Sequence, residues 1–216
     1  MISGVKSKRT PDNTQGEVTV SRKVFDKLTS AAGVVAVIVL LAAGGLLTWG
    51  YSFANSNVHN QLAMQQITFP PKAAFAHPKA GTEITPSMIP SVSQYAGQQL
   101  LTGPQAEAYA NHFIAVHLSE MPYGGVYSKV SAAAMAHPTN AALAGLKTTV
   151  FQGTTLRGLL LEAYAFWTIG QVMLWGAVAA FAGALILAIL VGLGFAHAYR
   201  TAPEKELFGA EVSTAS

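Results

Sequence analysis

The chain has no cysteine among its 216 residues. Disulfide staples, iron–sulfur clusters and thiol nucleophiles are therefore excluded, and any exported portion must hold its fold by packing alone or by leaning on membrane helices. Charge is scarce as well. Asp, Glu, Lys and Arg make up 11% of the chain and hydrophobic residues 51%, too apolar a balance for an ordinary soluble surface. A Gly-rich phosphate loop, a nucleophile elbow and zinc-ligand spacing are all missing. So is the basic, aromatic-interleaved patch that a nucleic-acid partner would require. No stretch alternates apolar with polar residues, so no sheet is expected, and no internal repeat is found.

Two uncharged runs dominate what is present. From Ala163 to Tyr199 no Asp, Glu, Lys or Arg interrupts the chain. A bilayer core about 30 Å thick needs about 20 apolar residues at about 1.5 Å each, so this run can cross it. Trp167 and Trp175 toward one end and Tyr199 at the other have the amphipathic rings favoured at the headgroup layer, and Arg200 and Pro203 end the run. We expect a transmembrane helix over residues 166–199, with Ile169 to Phe195 in hydrocarbon. Leu156, Leu159, Leu160 and Ala163 continue the helical period upstream, which predicts a helix standing several turns out of the membrane. The second run covers residues 29–53, with Trp49, Tyr51 and Phe53 at its far end. A cleaved signal peptide is the competing reading, since Ser52 and Ala54 have the spacing signal peptidase prefers. The run exceeds the 7 to 15 residues of a signal core, which favours an uncleaved anchor.

Lys6, Lys8, Arg9, Arg22, Lys23 and Lys27 precede that first run. By the positive-inside rule they place the N-terminus in the cytoplasm, and two crossings return the C-terminus to the same side. The expected layout is a plasma-membrane, multi-pass, all-α protein: a basic tail over 1–28, two spans, a helical extracytoplasmic domain over 54–165 and a second tail over 200–216.

Within the outer region, Pro70, Pro71, Pro78, Pro86 and Pro90 predict an extended arm laid over a neighbour, with one short turn opened by Thr85 and Pro86. Thr102 followed by Gln105 fits a capping box and predicts a regular helix over 104–119 whose Ala106, Tyr109, Ala110, Phe113 and His117 share a face. Pro122, Gly124 and Gly125 predict a turn. A short helix follows over 126–136, then another over 139–151 stopped by Gly153, with Thr154 capping the last helix.

The strings QYAGQQLLTGPQAEAYANHFIAVHL, from Gln94 to Leu118, and VFQGTTLRGLLLEAYAFWTIG, from Val150 to Gly170, resemble a family of small actinobacterial integral membrane proteins. The resemblance implies two spans and an outside domain, and it carries over no established catalytic residues. Some members of that family carry the label of aromatic ring-opening dioxygenase, which the residues can test. Such an enzyme holds iron with two His and one carboxylate. Glu107, His112, His117 and Glu120 lie on one predicted helix, where His112 and His117 point about 140° apart and cannot share a metal. A third ligand would have to come from His59, His77 or His137. We expect interfacial polar residues here, and neither a metal nor a cofactor.

Other polar residues get structural expectations. His197 reads as an interface anchor rather than part of a proton path. Arg157 and Glu162 are five apart and so not helix neighbours; Arg157 is expected to pair with a carboxylate of the outer domain rather than a lipid phosphate. Gln171 is placed to bond to the first span. Gly176, Ala180, Ala184, Ala188, Gly192 and Ala196 recur at every fourth position, the spacing that lets a second helix approach in lipid. The partners expected are therefore the bilayer and a helix of another copy or another membrane protein. The function this supports is a non-catalytic accessory or interaction protein of the cell envelope, with a membrane-bound enzyme or an oligomeric transport component as the alternatives.

Overall fold

The computed structural model describes residues 22–79 and 82–200. It is all-helical. Helix α1 runs Arg22–Gln65 and helix α6 runs Ala141–Arg200, and between them lie α2 (Ile89–Val92), α3 (Gly103–Tyr109), α4 (Ala115–Glu120) and α5 (Tyr127–Ala136). Among the described residues there is no strand, only an isolated antiparallel bridge between Thr68 and Gln99. Both long helices outrun the lengths predicted for them. Helix α1 begins among its basic residues at Arg22 and continues through the polar stretch to Gln65, while α6 begins at Ala141 and passes through Gly153 and Thr154 without a break. The expected stop at Gly153 is thus wrong. A Cβ there would stand 2.9 Å from the Leu118 side chain, so the glycine serves close packing within the helix rather than ending it. The cap that sequence reading missed is Asn140, whose Oδ1 accepts from the Leu143 N–H at 3.1 Å.

The chain forms two compact units, Leu41–Phe181 and the flanking segments up to Leu40 and from Ala182. In each, α1 and α6 meet along a seam spaced alternately three and four residues, the repeat that keeps one stripe of a helix facing its neighbour. In the flanking unit α1 turns Ser30, Gly33, Val37 and Leu40 inward, and α6 turns Ala184, Leu187, Val191 and Gly194. Gly33 lies against Val191, and a Cβ on Gly194 would come 2.7 Å from the Ser30 hydroxyl. In the larger unit the seam is Gly44, Leu47, Tyr51 and Ala54 with Gly170, Met173, Ala177 and Ala180. A Cβ on Gly44 would stand 2.8 Å from the Phe181 ring and one on Gly50 2.7 Å from the Met173 sulfur. Small residues on both sides let the backbones close up. The antiparallel direction is plain in each unit, since partner numbers on α6 fall as those on α1 rise.

The opposite faces of both long helices are large and apolar. Val35, Ile38, Val39, Leu46, Trp49, Ile169, Val172, Trp175, Leu185, Ile186 and Ile189 are all at least half exposed. Only 6% of the most apolar stretch of either helix is buried within the chain, and both helices are long and apolar enough to cross a membrane.

The larger unit carries its own core beyond the seam. Phe69, Met88, Leu100, Val92, Val130 and Val150 are fully buried, each worth about 1.5–3 kcal/mol against exposure. Three core residues, Phe69, Ile84 and Met88, come from the Pro-rich region, which is therefore more than a surface arm. Backbone bonds from Phe69 to Gln98 at 2.9 Å, Leu100 to Ile67 at 2.8 Å and Gly97 to Pro70 at 2.9 Å tie it to the entrance of α3. As predicted, Thr102 and Gln105 form a capping box there. The helix that follows is not regular. Residues Ala110–Ile114 form a π turn, in which the Ala115 N–H reaches back five residues to Ala110.

Candidate functional site

The π turn is the most chemically loaded part of the described chain, because it sets Asn111 between two charged groups. Arg157 on α6 donates from Nη2 to Asn111 Oδ1 at 2.7 Å, and Asn111 Nδ2 donates to Glu107 Oε1 at 2.9 Å. The expected meeting of Arg157 with a domain carboxylate therefore goes through an amide. Arg157 Nε is buried and has no hydrogen-bond partner. The relay ties α3 and the π turn to α6, a positioning role that suits residues half-buried rather than aimed into a cavity.

A line of rings runs beside it. Tyr95, Phe69, Tyr109, Phe113 and His117 follow one another at centroid distances of 5.2, 5.3, 4.6 and 4.6 Å, so the shared face predicted for Tyr109, Phe113 and His117 is an aromatic ladder. Burial raises the Tyr109 hydroxyl above its ordinary pKa, and the negative charge of Glu83 adds to the effect. His117 donates from Nδ1 to the Phe113 carbonyl at 2.9 Å.

The side chains that an iron site would have needed are not brought together among the described residues. The π turn removes the regular-helix geometry on which the separation of His112 and His117 was reckoned. Glu107 is engaged by Asn111, while Glu120, His59, His77 and His137 are exposed. Among the described residues no three His, Asp or Glu side chains come together as a metal would require.

The small-residue ladder divides. Gly176 lies near Leu47, with 3.2 Å between a Cβ placed on it and Leu47 Cδ1, Ala180 is half-buried and Ala184 is buried. Ala188, Gly192 and Ala196 are exposed, and a Cβ on Gly192 would meet nothing. The reason is angular. Each step of four residues overshoots a full turn by about 40°, so five steps carry the ladder about 200° around the helix. Gln171, expected to bond to α1, makes no side-chain hydrogen bond among the described residues, and Thr168 bonds instead to its own helix at Tyr164 O, 2.9 Å away.

Two clefts lie along the long helices. One, of about 240 Å³, is lined by Asp26, Thr29, Ser30 and His197 among apolar residues, and the Oδ2 of Asp26 is buried there without a hydrogen bond. The exposed His197, near the end of α6, thus lines the same cleft as Asp26. The other, of about 330 Å³, lies between α1 and α6 in the larger unit, on the side of Ala54 and Gly170 away from Gly44. Asn57, Gln61 and Gln65 line it from α1, and Leu156, Leu159, Glu162 and Phe166 from α6. Sequence reading missed this row of amides, although spacing by four was there to be seen. No protein-family model, curated protein or solved structure matches the chain.

Proposed function

We propose that this chain is a two-span integral membrane protein of the plasma membrane, with both termini cytoplasmic and the domain between the spans exported, acting as a non-catalytic accessory subunit of a cell-envelope assembly. The observation that carries the reading is the pair of long helices whose outward faces are apolar and whose most apolar stretches are only 6% buried. Water would penalise that surface heavily, whereas lipid accepts it at no cost. The basic residues ahead of α1 support the orientation, and the resemblance to a two-span family agrees with the layout.

The accessory role follows from what the outer domain invests in. Its polar groups link elements to one another, and its aromatic ladder fills a core. The exposed half of the small-residue ladder, Ala188, Gly192 and Ala196, is the surface on which a partner helix would sit. Purification in gentle detergent at native expression, followed by mass spectrometry, tests the proposal: recovery of a defined membrane partner or a stable homo-oligomer is expected. A monomer that brings no partner with it would contradict it.

A further inference from the structure

We propose that the larger cleft between α1 and α6 holds the headgroup and first chain carbons of an uncharged, sugar-bearing lipid. The inference rests on the two-span reading, because it needs the cleft to open at the outer face of a bilayer. Its walls differ in chemistry. Asn57, Gln61 and Gln65 form one stripe of amides on α1, since residues four apart stack on the same helix face, and the buried Val58 and Leu62 line the cleft beside them. Gln61 Nε2 donates to Asn57 Oδ1, which leaves Gln61 Oε1 and Asn57 Nδ2 unused. Gln65 and the Glu162 carboxylate make no side-chain hydrogen bond among the described residues. Apart from Glu162 the facing wall is apolar, and its Leu159 and Phe166, 58% and 52% exposed, continue along α6 into the outward Ile169 and Val172.

Charge narrows the ligand class. The lining has one carboxylate and no Lys or Arg. A phosphate headgroup would meet like charge with nothing to neutralise it, so an anionic lipid does not fit. A bare acyl chain would strip water from the amide row without replacing its hydrogen bonds. Neighbouring hydroxyls of a sugar both donate and accept, as amide and carboxylate side chains require, and a sugar's C–H face suits the Phe166 ring. The apolar wall then takes the lipid chain. A volume of about 330 Å³ is at the lower end of small-ligand clefts, about 300–1,000 Å³.

The test uses the full chain in phosphatidylcholine nanodiscs, in four arms: no addition, one lipid in ten replaced by monoglucosyl diacylglycerol, one in ten replaced by phosphatidylglycerol, and free glucose. Lipid retained on the protein is read by native mass spectrometry, and the melting midpoint is read alongside. The glucolipid is expected to be retained and to raise the midpoint, and the double variant Gln61→Leu with Glu162→Leu, both exposed positions, is expected to retain about tenfold less, the equivalent of one 1.4 kcal/mol step in affinity. Gln152→Leu, exposed elsewhere on α6, should behave as wild type. Equal retention of phosphatidylglycerol, an equal shift with free glucose, or undiminished retention by the double variant would each overturn the site. A chain that does not co-elute with the discs would instead overturn the two-span reading beneath it, whereas one that co-elutes without preferring the glucolipid overturns the site alone.

Discussion

Asn111 does for Arg157 and Glu107 what a direct ion pair would do less well in a half-buried setting: it spends one amide oxygen on the cation and one amide hydrogen on the anion. Asn111→Ala removes both bonds at once and leaves two charges under-satisfied. A loss of about 1–3 kcal/mol is expected, measured as the unfolding free energy of the detergent-solubilised protein, with the exposed Glu120→Gln near zero as the control. Tyr109 gives a pH dependence. Its folded pKa is raised above the ordinary 10.0, first by burial and then by Glu83, so the unfolded chain loses the proton more readily. Its contribution is therefore complete below about pH 10 and is lost as pH rises through the folded value. Stability of the wild type should fall more steeply above pH 10 than that of Tyr109→Phe, and identical slopes would contradict the assignment. At this scale the sequence was partly legible. Arg157 could be marked as seeking a carboxylate, but the intermediary could not, because Asn111 reaches it only through a π turn that no residue pattern announces.

Helices α1 and α6 were recognisable from uninterrupted apolarity, and the continuation of α6 back to Leu156 from its periodicity, because both signals are local. Their mutual seam was missed. A ladder of fours drawn on one helix rotates away from its neighbour, while the true alternation of threes and fours appears only when both helices are read together. Two adjacent glycines test the seam. Gly44 is buried with the Phe181 ring 2.8 Å from where a Cβ would be, and Gly45 has open space around it. Gly44→Ala should destabilise by about 1–3 kcal/mol through overpacking. Gly45→Ala should be neutral or stabilising by up to about 1 kcal/mol, as alanine is the better helix former. Equal effects in detergent unfolding would place the contact elsewhere. The capping box offers a third check: Thr102→Ala should cost about 1 kcal/mol by freeing the Gln105 N–H it now accepts from. The breaks expected at Gly153 and Thr154 failed because a glycine that packs on Leu118 has a tertiary reason to stay helical, which composition does not reveal.

For the molecule as a whole, the absence of cysteine makes every introduced thiol unique. A cysteine at Gly192 should cross-link to a copy or a partner if the exposed ladder is a contact, whereas one at buried Ala184 should not. Sidedness is the claim on which the accessory role, the exported domain and the lipid cleft all depend. It is tested most directly by labelling intact cells with a membrane-impermeant maleimide, using Ser128→Cys in the exposed start of α5 and Ser213→Cys near the C-terminus. Ser128→Cys should label on intact cells and Ser213→Cys only after lysis. Labelling of Ser213→Cys from outside, or protection of Ser128→Cys until lysis, would contradict the two-span arrangement.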